Sequence, residues 1–554
     1  MLDKLVITGR VQKFLEGAGS LPVSCTITDF DTEGDFIRYT LLALKGGAGV
    51  NIHLDALADF TPRITNIKFS LDPDHPEYVE GLWGIPTDDD WRLEDSIDGR
   101  GGIADFCIRL FQGKLNGQTI DMSAIRPKGT ESKTMPGMIA SGVVSCRNLL
   151  SACACSGGSV VQYVLSILST CNQEMRRGGI LKNGAVTTSM PSTSPLIWDY
   201  VELSPHKHNY LKKAVVMFSD YGKLDEDLVD TLIDGVNDGT LWLEKRLSTQ
   251  YFHTPKAGYK RYHLESDSPL PFLQHNVCRE ILINKRETCN LFHVNLGMID
   301  DPEQLEDVLP FAVSFGIEIH KRDGQALLDI YKSASEDKQI GVGLVGLANM
   351  LRNFGVTYHQ FTEALASLTT DEYLSQYANF VDFNFSVNFP KPQRMADMLA
   401  QYLVKGYLRG SREARIMGYK RVWCIAPTAS SSYRYKDFAG NALAPQITPP
   451  LAQTVERVSE RGETLVVDYG RRIETAEKVG YDTYFKLVES FQKLFDSTGL
   501  GHSISFDIHK EWDLNDFRKW MDSQVTATYY RVLTDTSHLD KSDQLNISCS
   551  GCVE

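Results

Sequence analysis

The sequence predicts an α/β fold with a largely parallel sheet, from the alternation of two kinds of stretch along its middle. Leu5–Thr8, Ala214–Phe218 and Arg421–Ile425 are short, apolar and β-branched, and read as strands. Val160–Ser169, Glu303–Phe315, Ile340–Asn353, Glu372–Val381 and Tyr484–Ser497 carry the 3.6-residue periodicity of helices. At 554 residues there is room for three or so ordinary domains, or for one large α/β barrel with additions. No solenoid repeat and no low-complexity tract interrupts the pattern.

Two regions depart from it. Between Ile52 and Thr119 the strings DPDHPEY, IPTDDDW and SIDGRGG are acidic and turn-rich, and read as an insertion. From Asp535 onward the chain is polar without periodicity, which predicts a mobile tail.

Composition bounds the function. Hydrophobic residues make up 42% and charged residues 23%, a soluble globular balance. A net charge of -14 argues against stable nucleic-acid binding, which needs clustered Lys and Arg, but leaves room for a local nucleotide pocket. The opening MLDKLVITGR lacks the apolar stretch of a signal peptide, and no run approaches the ~20 apolar residues of a membrane span. The expected compartment is the cytoplasm, where the 11 cysteines are buried small hydrophobes or reactive thiols, not a disulfide framework.

The string His275-Asn276-Val277-Cys278-Arg279-Glu280 is the most informative. In extended or looped backbone alternate side chains share a face, so Asn276, Cys278 and Glu280 would set an amide, a thiol and a carboxylate side by side. A buried cysteine between surface polar residues would give the same six letters. Elsewhere in the chain stand Pro22-Val23-Ser24-Cys25 near the N-terminus, Glu287-Thr288-Cys289-Asn290-Leu291-Phe292, and Ala426-Pro427-Thr428-Ala429-Ser430-Ser431-Ser432. The chain closes on Ser548-Cys549-Ser550-Gly551-Cys552-Val553-Glu554. Cys549 and Cys552 form a C-x-x-C pair with no second pair at zinc-site spacing, which favours thiol exchange over metal binding. The segment Gly341-Val342-Gly343-Leu344-Val345-Gly346 fits a dinucleotide fingerprint. The residues before it, Ser333 to Gln339, are polar and make a poor strand, so these glycines are expected to permit close helix packing.

Taken in order, these features resemble the catalytic (large, alpha) subunit of ribonucleotide reductases. That family carries an N-x-C-x-E finger loop, a C-N-L-type cysteine, a cysteine near the first barrel strand, a P-T/S-x-x-S phosphate loop and a terminal cysteine pair. Ile125-Arg126-Pro127-Lys128-Gly129, Arg176-Arg177-Gly178-Gly179 and Ile340-Gly341-Val342-Gly343 are further matches, so the resemblance runs from about Cys25 to Cys552. It implies a ten-stranded α/β barrel of two parallel five-stranded halves, with the finger loop through its centre. Residues 1–51 would begin the barrel, 52–120 form the insertion, 121–534 complete the barrel, and 535–554 make a redox-active tail.

The resemblance also implies roles. Cys278 matches the thiyl radical that takes the 3′ hydrogen, Glu280 the general base on the 3′-hydroxyl, and Asn276 the amide that holds substrate hydroxyls. Cys25 and Cys289 match the pair that reduces the 2′ position, with Ser24 beside the substrate. Pro427, Thr428, Ala429, Ser430 and Ser431 match the phosphate loop. Cys549 and Cys552 match the shuttle that passes electrons from thioredoxin or glutaredoxin. The substrate would be a ribonucleoside di- or triphosphate, and a nucleoside triphosphate effector would act through the loop from Met175 to Pro191.

The radical source divides the family. Ala527-Thr528-Tyr529-Tyr530-Arg531 resembles the tyrosine dyad of class I enzymes, whose radical comes from a metal-containing small (beta) subunit; two adjacent strand tyrosines are the plain alternative. On that reading this chain binds no cofactor itself. The insertion, with Asp121-Met122-Ser123-Ala124-Ile125-Arg126-Pro127 after it, resembles monomeric class II enzymes, which use adenosylcobalamin; Cys289-Asn290-Leu291-Phe292 leans the same way. The class I-like reading is preferred. Cys25 lies so near the start that the ATP-cone activity switch of larger class I enzymes is expected to be absent. A glycyl-radical enzyme would need an R-G-Y-type loop that this sequence lacks. A non-catalytic regulatory paralogue would lack some of Cys25, Cys278, Glu280 and Cys289, and all four are present.

Overall fold

The computed structural model describes residues 6–15, 19–27, 50–53, 114–115, 118–119, 176–177, 182–183, 186–194, 197–202, 211–217, 224–245, 247–248, 272–276, 278–283, 288–321, 333–428, 432, 436–458 and 464–531. The expected helix Val160–Ser169, most of the 52–120 insertion and the 535–554 tail lie outside them. The chain divides into two compact units, one drawn from 1–12 and 24–215, the other from 13–23 and 216–552.

In the first unit the strand Val6–Leu15 pairs antiparallel with Val50–His53, which runs parallel to Val186–Pro191. Buried Tyr200 donates its hydroxyl to the Thr188 carbonyl at 2.7 Å and accepts the Ala214 amide at 3.0 Å. Its phenol thereby satisfies backbone groups that burial would otherwise leave unpaired.

The second unit is organised by a parallel sheet of four strands in spatial order β1 (Leu291–Asn295), β2 (Gln339–Val345), β3 (Arg421–Ile425) and β4 (Gly501–Ile504). Leu291 pairs with Gly341, Val342 with Trp423, and Trp423 with Gly501. Parallel neighbours require long crossovers, and here they contain helices. Helix α1 (Gln304–Lys321) stands between β1 and β2 in the chain. Helices α2 (Leu347–Asn353), α3 (Tyr358–Ser367), α4 (Asp371–Phe383) and α5 (Met395–Ile416) lie between β2 and β3. Helix α6 (Tyr481–Ser497) precedes β4. The α/β class and the parallel sheet expected from the alternation are therefore present, and Arg421–Ile425 is a strand with the expected bounds.

One expectation is corrected. Ile340–Asn353 is not a single helix: β2 ends at Val345, Gly346 turns with φ of 80°, and α2 begins at Leu347. A run apolar on both faces has no amphipathic period to choose between helix and strand. Here every residue of β2 is buried, as suits a central parallel strand. Burying Ile340, Val342, Leu344 and Val345 contributes roughly 1.5–3 kcal/mol each. The glycines accordingly pack within the sheet, not between helices. A side chain at Gly343 would stand 2.8 Å from the Cys424 carbonyl oxygen, and one at Gly341 would meet Ile281, Leu291 and Cys424. Since Gly341 and Gly343 lie inside the strand, not in the turn after it, they do not form the phosphate-facing turn of a dinucleotide fingerprint. Among the described residues no helix is long and apolar enough to cross a membrane.

Candidate active site

The Asn276–Glu280 string lies at the end of a hairpin. Strands Phe272–His275 and Leu282–Ile283 pair antiparallel, with His275 opposite Leu282. The loop is a tight turn, the looped rather than the extended form of the two expected backbones. The Asn276 amide donates to the Ile281 carbonyl and the Arg279 amide to the Asn276 carbonyl, both at 3.0 Å. Arg279 adopts φ of 70°, a left-handed conformation uncommon for a side chain of its size. Asn276 and Glu280 still meet: the Asn276 Nδ2 donates to Glu280 Oε1 at 2.8 Å, and its Oδ1 accepts the Ile281 amide at 3.1 Å. The turn unites amide and carboxylate, with Cys278 between them in sequence. Cys278 is half-buried and outside any disulfide, while Asn276 and Glu280 are buried.

Under the loop lies a charged cluster that sequence reasoning missed. Arg279 Nη1 donates to Glu244 Oε2, and His275 Nδ1 stands 3.5 Å from the same oxygen. Arg279 and Glu244 are 0% and 2% exposed, so neither charge is solvated and each depends on the other. The guanidinium carbon lies 5.1 Å from the Trp242 ring centre, at cation–π range. Trp242 in turn stands 5.5 Å, centre to centre, from the buried ring of Tyr529. Tyr529 thus connects to this loop through Trp242 and Arg279. Tyr530 shares the strand Thr528–Arg531, and its side chain is outside the described residues.

The segment from His502 to Ser505 holds the loop from the other side. His502 Nδ1 accepts the Leu282 amide at 3.1 Å, so its Nε2 carries the proton and donates to the Ile340 carbonyl at 3.0 Å. Burial, helped by Arg421, holds this imidazole well below its ordinary pKa, consistent with the neutral tautomer. The Ser503 amide donates to the Glu280 carbonyl at 2.9 Å. The Ser505 hydroxyl donates to the Cys278 carbonyl and lies 3.5 Å from Glu280 Oε2. At the base of the hairpin Ile281 packs with Cys424 and Ala426, covered by Leu291. A legible signal existed in the polar residues of Gly501-His502-Ser503-Ile504-Ser505-Phe506, spaced through an otherwise strand-like stretch.

The expected phosphate loop follows the C-terminal end of β3, where loops of parallel sheets present their backbone to ligands. Pro427 is half-buried, whereas Thr428 is buried and its Oγ1 accepts the Gln446 amide at 2.7 Å. The Ser432 amide donates to the Thr428 carbonyl at 2.8 Å; of the expected loop, Ala429, Ser430 and Ser431 stand between these two residues in sequence. Those three residues lie outside the described set, as do Cys549 and Cys552. Ser24 and Cys25 fall on the strand Gly19–Ile27 and Cys289 on Thr288–Cys289, with side chains outside the described residues. Among the described residues no group of three or more His, Cys, Asp or Glu could hold a metal ion.

Residues 272–380 match the family model for the ribonucleotide reductase barrel domain, a span that starts at the Phe272–Ile283 hairpin and runs through β1 and β2 into α4. No curated protein matches the chain. Among solved structures, the class Id ribonucleotide reductase alpha subunit of Actinobacillus ureae is similar at 14% identity, with a TM-score of 0.38, over 76% of this chain and 84% of that one.

Proposed function

We propose that this chain, an oxidoreductase of the ribonucleotide reductase family by its barrel domain, replaces the 2′-hydroxyl of a ribonucleoside di- or triphosphate by hydrogen through a thiyl radical at Cys278. The observation that carries this reading is the buried Asn276–Glu280 hydrogen bond bracketing Cys278 at the end of a hairpin. A carboxylate held there by an amide on one oxygen is poised to take a proton, and enclosure protects a radical from side reactions. The four-stranded parallel sheet supports a ten-stranded barrel of two five-stranded halves, with this hairpin as its finger loop.

In the proposed reaction the Cys278 thiyl takes the 3′ hydrogen atom, forming S–H and leaving a carbon radical. Glu280 accepts the 3′-hydroxyl proton while Asn276 orients the substrate hydroxyls. The 2′-hydroxyl leaves as water on a proton from the Cys25 and Cys289 pair. That pair supplies two electrons and, with its second proton, the hydrogen that bonds to C2′, ending as a disulfide; Glu280 returns its proton to the 3′-oxygen, and the 3′ hydrogen returns from Cys278 to C3′, restoring the thiyl. Cys549 and Cys552 then reduce the disulfide by exchange and are reduced by a thioredoxin-like donor. Pro427 to Ser431 would hold the phosphate.

The radical is assigned to a separate small subunit, delivered through Tyr529 and Tyr530. The contact of Tyr529 with Trp242, and of Trp242 with Arg279, supports a route to the finger loop. The deciding assay is ribonucleotide reduction by the purified chain with dithiothreitol, with and without adenosylcobalamin. Cobalamin-dependent turnover would make the enzyme class II and the tyrosines structural. Folded, nucleotide-binding protein silent in both conditions, and active once a small subunit is added, is the expected result. Cys278→Ser should abolish turnover without unfolding the protein; normal activity in that variant overturns the central assignment.

A further inference from the structure

We propose that Ser505 is a positioning residue of this reaction, fixing the backbone of Cys278 against the strand that leads into the phosphate loop. The inference rests on the thiyl reading of Cys278 and adds a residue to it. It starts from the shape of the turn. The left-handed Arg279 directs the Cys278 carbonyl toward β4's continuation, where the Ser505 hydroxyl donates to it. Ser505 is 0% exposed, so its hydroxyl is shielded from water on the donor side of that bond. Its own amide donates to the Ile425 carbonyl at 2.9 Å, at the last residue of β3, two positions before Pro427.

One residue therefore ties the thiol-bearing peptide to the end of the strand that carries the phosphate loop. Ser503 makes the parallel contact two residues earlier, through its amide to the Glu280 carbonyl. Ser503 uses only its backbone there, its hydroxyl meeting Thr526 Oγ1 instead, whereas the tie at Cys278 depends on a hydroxyl. Glu280 Oε2 lies 3.5 Å from that hydroxyl, at the outer edge of hydrogen-bond range, so its single proton belongs to the carbonyl. The bond fixes where the sulfur stands relative to a substrate anchored by its phosphate. Hydrogen-atom transfer needs the reacting atoms about 3–3.5 Å apart, and a displacement of about 1 Å can lower the rate on the order of 10²-fold.

The test compares wild type, Ser505→Ala, Ser505→Thr and Cys278→Ser with whichever radical source supports turnover. Its readouts are kcat, KM and the isotope effect with 3′-deuterated substrate. Amide hydrogen exchange across 276–282 is followed in the nucleotide-bound protein, which needs no turnover. Ser505→Ala should lower kcat roughly 10- to 100-fold, leave KM within about twofold, raise the isotope effect and quicken exchange in the loop. Ser505→Thr, which keeps the hydroxyl, should recover most of the loss. Wild-type kcat and isotope effect in Ser505→Ala overturn the proposal, as does a lower kcat with an unchanged isotope effect. Activity in Cys278→Ser would instead sink the thiyl reading; the exchange data would still decide whether Ser505 holds the loop, unchanged exchange overturning it.

Discussion

The Asn276–Glu280 hairpin and the α1–α5 helix pair both lie in the second unit, and they are made of opposite materials. Along α1, Leu305, Leu309, Val313 and Ile317 recur every fourth residue and are fully buried, forming one apolar ridge. Buried residues on α5 include Leu399, Leu403 and Tyr407, and glycines allow close approach to α1: a side chain at Gly406 would stand 2.2 Å from the Leu305 carbonyl oxygen. Around the hairpin the buried groups are Glu244, His275, Asn276, Arg279, Glu280, His502, Ser503 and Ser505. Apolar packing degrades gradually when one atom is lost or added. A buried polar network instead leaves an orphaned group whenever one partner goes, and the whole desolvation penalty of that group then falls on the fold.

The largest test of this contrast is the Arg279–Glu244 pair. Glu244→Leu leaves the Arg279 guanidinium buried without its carboxylate and should cost about 3–5 kcal/mol in urea unfolding. The double replacement Glu244→Leu with Arg279→Met should recover most of that loss, because an apolar pair of similar volume carries no desolvation penalty. Additive losses in the double variant would show that the two residues are not energetically coupled. Next in size is Gly406→Ala. The added methyl collides with backbone, which cannot rotate away, so α1 and α5 must separate slightly at about 1–3 kcal/mol. The polar centre is remote from this contact, so KM for nucleotide should be unchanged; a raised KM would link the helix layer to the site.

Legibility in the sequence followed the same division. Features resting on neighbours in the chain could be read directly: the strand Arg421–Ile425, the α1 periodicity, and Asn276 with Glu280 in one short string. Features resting on long-range meetings could not. Ser505 reaches Cys278 across 227 positions, and Trp242 meets Tyr529 only because two distant strands adjoin. The Asn276–Glu280 contact was expected from alternate residues sharing a face, and it forms in a tight turn where Arg279 stands at positive φ. Ile340–Asn353 misled because an apolar run with small residues carries no period; the surrounding sheet decides it.

The same ion-pair chemistry occurs at the surface, where it should matter least. Lys486 on α6 donates to both carboxylate oxygens of Glu363 on α3, at 2.7 and 2.8 Å, with the two side chains 43% and 45% exposed. Geometry here is at least as good as at Arg279–Glu244, so a difference in energy between the pairs isolates burial. Water and salt already stabilise each surface charge alone, and Glu363→Gln should cost only about 0–1 kcal/mol. Most of that should vanish at ~1 M salt, where screening acts over about 3 Å. The Lys486 hydrogen bond holds the Glu363 carboxyl below its ordinary pKa, against a smaller opposing effect of burial. Its stabilisation is therefore present above the unfolded carboxylate pKa of about 4.3 and is lost as pH falls through the lower folded value. Urea unfolding of wild type and Glu363→Gln at pH 7 and pH 3, in low and high salt, should show the two proteins converging in acid and in salt. A loss above about 2 kcal/mol that persists in salt would mean that geometry, not burial, sets the strength of these pairs, and the contrast drawn between the hairpin and the helix layer would fail with it.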